Sequence, residues 1–260
     1  MSRLSQAFQN GKAFIGFVTG GDPSLEASAE FIVEMARAGA DVVEIGLPFS
    51  DPIAEGPVIQ QANLRALAAG TTPDKLFELV TDVRRRGVTV PLVFLSYVNP
   101  LFRYGYDAFL RRCRETGVDG LILPDLPFEE QDEVRGPAEA HGVDLITLIA
   151  PTSEDRVRRV AARAAGFVYI VSSMGVTGMR REIETDLAGL IGLVRSVTDT
   201  PAAVGFGIHT PAQATAIARL ADGVIVGSAI VALIETHGPA AGPHIYEYVR
   251  TMKQAALNAG

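Results

Sequence analysis

Short apolar runs alternate with helical patterns along the whole chain, and this alternation restricts the fold more than any other feature. Candidate strands fall at 13–18, 41–45, 91–96, 120–123, 144–149, 167–171, 202–205 and 223–226. Most are nearly continuous apolar stretches, as expected of parallel strands covered on both faces. Amphipathic patterns fill the intervals. Phe31, Ile32, Met35 and Ala36 form one stripe after the first strand, and Leu187, Leu190, Ile191 and Val194 another after the sixth.

Helix punctuation agrees. Thr72-Pro73-Asp74 and Thr210-Pro211 each set a capping hydroxyl before a proline suited to the first helical position. Gly117, Gly142 and Gly166 fall where a left-handed stop is wanted between helix and strand. The interval after the second strand is long enough for an extra helix at 58–69 before the one at 75–86. Strict β-α alternation implies a parallel sheet. Eight such units in 260 residues predict a closed (β/α)8 TIM barrel with extra helices rather than an open doubly wound sheet. No composition break divides the chain, so residues 1–260 are expected to form a single barrel domain.

Composition excludes several functions. Apolar residues make up 48 % and charged residues 20 %, ordinary for a globular enzyme with a sizeable core. A formal net charge of −7 without a basic stripe argues against nucleic-acid binding. The run Arg84-Arg85-Arg86 closes a helical pattern, where cations complement the helix C-terminus. The lone cysteine, Cys113, shares an apolar helical face with Phe109 and Leu110 and reads as a small buried residue. Met1 to Lys12 is polar, unlike a signal peptide, and no apolar run reaches the roughly 18 residues of a membrane span. A cytoplasmic protein is expected.

A barrel of this kind carries its site at the C-terminal ends of its strands. Glu44, among Val42, Val43 and Ile45, ends the second strand. A carboxylate in so apolar a setting is costly to ionise, which suits a general acid/base. The alternative is a Glu paired with a Lys or Arg across the barrel. A long Pro- and Gly-rich loop with Asp51 and Glu55 follows, and long structured loops in compact domains are usually functional. After the sixth strand, Ser172 to Arg181 is rich in glycine and hydroxyls and suits a lid. Gly205-Phe206-Gly207 and Gly227-Ser228 precede helix starts after the last two strands. Free helix N–H groups there make an anion site without a lysine. His209 reads as a surface residue beside a cap or as a catalytic base. Tyr169 is core or catalytic, and Asp125 contacts substrate or caps a turn.

These segments resemble the tryptophan synthase alpha subunit family. The resemblance runs from Phe14 to Met252 and rests on Phe17 to Pro23, Glu44 to Pro52, Pro124 to Pro127, Ser172 to Gly178 and Gly205 to Ile208. It implies retro-aldol cleavage of indole-3-glycerol phosphate to indole and glyceraldehyde 3-phosphate, a carbon–carbon lyase reaction of tryptophan biosynthesis. Glu44 would be the acid/base, Glu55 the carboxylate that holds the indole N–H, and Tyr169 a tyrosine beside the catalytic Glu. Phe17, Leu95, Tyr97 and Ile122 would surround the indole. Gly178, Gly207, Gly227 and Ser228 would cradle the phosphate, with Phe206 also at the substrate and Thr177 ordering the lid. The resemblance also implies a pyridoxal-phosphate-dependent beta subunit in an α2β2 heterotetramer that receives the indole, with Asp51 and Pro127 as contacts. No metal and no cofactor is expected on this chain. One position departs: the family has Asp where this chain has Glu55. Rival readings are a free-standing indole-glycerol phosphate lyase, an impaired subunit that only activates its partner, and another phosphate-binding barrel such as a sugar isomerase.

Overall fold

The computed structural model describes residues 2–171, 180–205 and 207–259, without the side chains of 180–186. Nine parallel strands form one sheet: β1 (Ala13–Thr19), β2 (Val42–Gly46), β3 (Leu92–Leu95), β4 (Gly120–Ile122), β5 (Asp144–Leu145), β6 (Thr147–Ile149), β7 (Val168–Val171), β8 (Ala202–Gly205) and β9 (Gly223–Val226). The order is β5-β4-β3-β2-β1-β9-β8-β7-β6. Its two ends are consecutive pieces of chain, so the sheet rolls into a nearly closed barrel.

The eight strands expected become nine because the segment at 144–149 is divided. Asp144 and Leu145 pair with Gly120 and Leu121 of β4, whereas Thr147 to Ile149 pair with β7. At Ile146, whose N–H still donates to Leu121 O at 2.9 Å, the chain changes neighbour. The division is therefore where the barrel closes, and it does not add a β/α unit.

Strand periodicity decides what faces inward. Ile15, Val42, Val93, Ile122, Ile146, Phe167, Ala203 and Ile225 form one buried layer inside the barrel. Leu4, from the short N-terminal helix Arg3–Gln6, joins that layer and stops the barrel at its N-terminal end. The residues between them point outward into a larger core under the helices, where Phe31, Ile32 and Met35 of the helix Leu25–Arg37 are fully buried. Leu187, Leu190, Ile191 and Val194 bury the expected face of Arg180–Arg195.

The capping signals act as their chemistry demands. Thr72 accepts from Lys75 N–H at the start of Pro73–Arg85, and Thr210 with Gln213 makes a reciprocal capping box before Pro211–Leu220. Gly117 and Gly142 end their helices in the left-handed conformation. Arg84 goes beyond its own helix: it donates to Val88 O, Val90 O and Gly117 O and pairs with Asp119 at 2.7 Å. Cys113 is fully buried.

The extra helix, Pro57–Ala68, lies across the C-terminal mouth. Its Ala62 packs with Phe17 of β1 and Val231 of the helix Ser228–His237. One end of the barrel is thus plugged by Leu4 and the other is ringed by loops and helix starts. Among the described residues, no helix is long and apolar enough to cross a membrane.

Candidate active site

Glu44 lies at the middle of β2, in register with Phe17 of β1 and Val93 of β3. The strand's alternation puts it on the interior side with Val42. The carboxyl is 1 % exposed, and its Oε1 has no hydrogen-bond partner among the described residues. The paired alternative is not what forms: among the described residues, no Lys or Arg bridges to it. Burial raises its pKa to about 8, so near neutrality the group is predominantly the neutral acid.

Tyr169 lies on β7, across the barrel from β2, near enough for the Glu44 charge to act on its phenol. It stands in register between Leu148 of β6 and Ala203 of β8. Its hydroxyl fills the space over Gly205, where a Cβ would meet it at 2.6 Å. Burial is the first cause raising the phenol pKa, followed by the charges of Glu44 and then Glu55. Both carboxylates therefore act on one phenol, although 125 and 114 residues separate them from it in sequence.

Glu55 comes from the loop after β2, at the foot of the helix Pro57–Ala68. Gln60 Nε2 donates to its backbone oxygen at 2.9 Å. Its carboxylate accepts the hydroxyl of Tyr97. Burial raises its pKa, the Tyr97 bond opposes that rise, and Asp125 adds to it. Tyr97 is 2 % exposed and stacks on Phe49 with ring centroids 5.1 Å apart. Its oxygen also accepts the N–H groups of Ile53 at 3.1 Å and Ala54 at 3.0 Å. The hydroxyl is thereby committed to the loop after β2.

Phe17 lines the same interior. Its ring covers Gly46, where a Cβ would come within 2.7 Å of Cζ, and it lies 3.4 Å from the Cβ position of Gly227. Leu95 packs on both interior clusters, and Ile122 belongs to the deeper one. The site is walled by side chains from five strands, and the Gly46 contact shows why no larger residue fits between Glu44 and the loop.

Gly227 precedes the helix Ser228–His237, which starts at Ser228. Gly207 has φ +74°, a conformation open chiefly to glycine, ahead of Pro211–Leu220. The two helices follow adjacent strands, but the start of Pro211–Leu220 is taken up by its own capping box: Thr210 N–H donates to Gln213 Oε1 and Gln213 N–H to Thr210 Oγ1. The start at Ser228 is the one without a side-chain cap, the arrangement an oxyanion needs. His209 shapes the turn ahead of Pro211–Leu220, and its backbone oxygen accepts the Tyr248 hydroxyl at 3.0 Å. Its Nδ1 donates to Gly207 O at 2.8 Å and its backbone N–H to Gln213 Oε1 at 2.9 Å. Thr177, Gly178 and Phe206 lie outside the described residues, as does the lid segment 172–179.

Asp125, at the end of β4, accepts Val98 N–H on both oxygens, at 3.0 and 3.1 Å. It caps the helix Val98–Tyr104, the structural role of the two expected. Asp51 and Pro127 are exposed on the same face of the barrel, and Ile53 beside Asp51 is 77 % exposed. Two features had no signal in the sequence. Arg65 of the extra helix holds the fully buried Asp22 with two bonds of 2.8 Å. Phe49 supplies the stacking face for Tyr97. Both depend on loops meeting, which periodicity does not report. Among the described residues, no cluster of three or more His, Cys, Asp or Glu could hold a metal ion.

A family model for the tryptophan synthase alpha chain matches residues 4–257. The tryptophan synthase alpha chain of Lactiplantibacillus plantarum is 52 % identical over 256 residues, 98 % of this chain and 96 % of that one. That of Lacticaseibacillus casei is 48 % identical over 255 residues, with the same coverage of 98 % and 96 %. The crystal structure of the tryptophan synthase alpha chain from Legionella pneumophila superposes with a TM-score of 0.89 at 35 % identity, covering 100 % of this chain and 99 % of that one. A tryptophan synthase structure from M. tuberculosis, in an aminoacrylate-bound form, gives 0.86 at 34 % identity, covering 97 % and 100 %.

Proposed function

This chain belongs to the tryptophan synthase alpha chain family, and we propose that Glu44 and Glu55 are the two carboxylates that carry its reaction. The reaction is the cleavage of indole-3-glycerol phosphate to indole and glyceraldehyde 3-phosphate, a carbon–carbon lyase step of tryptophan biosynthesis. The indole passes to a beta subunit, to which pyridoxal phosphate belongs in this family.

The chemistry asks for two carboxyl groups in opposite states. Indole is a poor leaving group until its C3 carries a proton. Glu44, kept neutral by burial, donates that proton. The ring becomes an indolenine-like cation, and the Glu55 carboxylate stabilises it by accepting the ring N–H. Glu44, now a carboxylate, takes the proton of the side-chain hydroxyl next to the ring. The electrons of that O–H bond form the aldehyde carbonyl. Those of the broken C–C bond return to the ring, releasing neutral indole. Tyr169 is the tyrosine beside the catalytic Glu in this reading, near enough for the Glu44 charge to act on its phenol. Phe17, Leu95, Tyr97 and Ile122 wall the indole. The backbone at Gly178 and Gly207 and the helix start at Gly227-Ser228 cradle the phosphate, with Phe206 also at the substrate and Thr177 ordering the lid.

The observation that carries this reading is the buried carboxyl of Glu44 inside the barrel, whose Oε1 has no hydrogen-bond partner among the described residues. This chain itself requires no cofactor in the reading. It assembles with the beta subunit as an α2β2 heterotetramer in the cytoplasm, with Asp51 and Pro127 at the contact. The single-domain barrel, residues 1–260, is the unit that docks.

The test is turnover of indole-3-glycerol phosphate by the chain with and without a beta subunit, for wild type and Glu44→Gln. Wild type is expected to release indole and glyceraldehyde 3-phosphate, faster with the partner, and Glu44→Gln to lose the reaction in both settings. Full activity of Glu44→Gln would overturn the assignment of the acid. High wild-type activity unaffected by a beta subunit would favour a free-standing lyase instead.

A further inference from the structure

We propose that Tyr97 is a positioning residue for the reaction: its hydroxyl, gripped by the amides of Ile53 and Ala54, aims the Glu55 carboxylate at the indole N–H. The proposal rests on the role given to Glu55 above. It assigns to Tyr97 a task that an indole wall does not have.

The geometry supports it from both sides of the hydroxyl. Two backbone N–H groups donate to the phenolic oxygen, at 3.1 Å from Ile53 and 3.0 Å from Ala54. The hydroxyl proton then has one place to go, and it is given to Glu55. Donors on the oxygen polarise the O–H and make it a stronger donor in turn. The ring cannot swing away, because it is 2 % exposed and stacked on Phe49. The two amides belong to the residues just before Glu55, so one hydroxyl fixes both the loop and the side chain at its end.

This arrangement answers the problem set by Glu at position 55. A side chain one methylene longer than Asp has an extra rotatable bond and more ways to miss its target. Its last torsion is broad and two-fold. A fixed donor at its tip removes that freedom. It also favours the charged form, which is the one that can accept the ring N–H. Among the described residues, the titratable groups acting on the Glu55 carboxylate are Tyr97 after β3, Asp125 after β4 and Tyr169 on β7. Burial and Asp125 push toward the neutral acid, and the Tyr97 hydroxyl opposes them. Removing that hydroxyl raises the pKa of Glu55 further, so less carboxylate is present at low pH. The acid limb of kcat/KM must then move to higher pH.

Two variants with opposite expected signs test this in the complex with the beta subunit. Tyr97→Phe keeps the stacked ring. It is expected to lower kcat about 10-fold to 100-fold and to move the acid limb up by about one pH unit. Tyr97→3-fluorotyrosine keeps the bond with a more acidic phenol, and the limb is expected to move down. Binding of indole-3-propanol phosphate is a second readout: Tyr97→Phe should weaken it more at pH 6 than at pH 8. An acid limb that stays put in both variants overturns the proposal, even if KM changes. So does a uniform loss of kcat at every pH, which would mark Tyr97 as a loop support only. Failure of wild type to cleave indole-3-glycerol phosphate would instead strike the functional assignment itself.

Discussion

The hydroxyl of Tyr169 occupies the space that a side chain on Gly205 would need, with 2.6 Å between the oxygen and the would-be Cβ. The two residues are in neighbouring strands, and the missing side chain of one admits the phenol of the other beside Glu44. Glycine at 205 is thus a requirement of Tyr169.

Gly205→Ala should therefore push the phenol out of place. Turnover of indole-3-glycerol phosphate is expected to fall about 10-fold or more, and stability by about 1–3 kcal/mol, the usual range for overpacking a tight interior. The double variant Gly205→Ala with Tyr169→Phe should recover part of the lost stability, because it deletes the clashing oxygen. Urea midpoints of the four proteins measure this coupling. Strict additivity would show that the clash is absorbed elsewhere.

Glu44 predicts a pH dependence of stability with a definite sign. Its pKa is raised from 4.5 to about 8 in the folded chain. Between those values the unfolded chain loses the proton and the folded chain keeps it. The favourable state is fully present below 4.5, declines by about 1.4 kcal/mol per pH unit and is lost above 8. Glu44→Gln cannot ionise, so its stability advantage over wild type should grow from pH 5 to pH 8. Denaturant midpoints of both proteins at the two pH values decide the matter. The same ionisation removes the proton donor, so kcat/KM of wild type should fall on the alkaline side near pH 8.

Glu55→Gln should keep the fold and lose about 10²-fold in kcat, the order found when one preorganised electrostatic partner of a charged transition state is removed. Steady-state indole release measures it. Unchanged turnover would remove Glu55 from the mechanism.

Arg65 and Asp22 predict a cost in stability. Asp22 is fully buried and, among the described residues, Arg65 is the cation paired with it, with a weaker 3.5 Å contact from Arg65 to Glu235. Arg65→Met leaves a buried charge and is expected to cost about 3–5 kcal/mol. Asp22→Asn with Arg65→Met should cost less than Arg65→Met alone. The pair joins the loop after β1 to the extra helix and to the helix that starts at Ser228. The KM for indole-3-glycerol phosphate should therefore rise in Arg65→Met.

Ile53, 77 % exposed beside Asp51, is the apolar group expected to seat against the beta subunit. Ile53→Glu should weaken assembly by about 10-fold or more, read by calorimetric titration with the beta subunit. Undiminished affinity would move the contact away from this loop.

What could be read in the chain itself follows from periodicity and punctuation. Continuous apolar runs marked the parallel strands, Thr72 and Thr210 marked helix starts, and the count of β/α units marked the barrel. Glu44 was legible as a candidate because a carboxylate among Val42, Val43 and Ile45 is either paired across the barrel or kept for chemistry, and only the structure shows that no Lys or Arg among the described residues bridges to it. The division of the strand at Ile146 was not legible, because changing neighbour leaves no trace in an apolar run.

The sequence alone determined the architecture and singled out Glu44 as a candidate acid, since burial periodicity and a misplaced charge are local properties. Only the tertiary structure decided what each charge meets. Tyr97 hands its hydroxyl to Glu55 across 42 positions, Arg65 holds Asp22 across 43, and Tyr169 rests on Gly205 from the next strand. Those pairings arise when the barrel closes and its loops converge, and hydrogen-bond partners chosen at that distance depend on three-dimensional registry rather than on spacing along the chain.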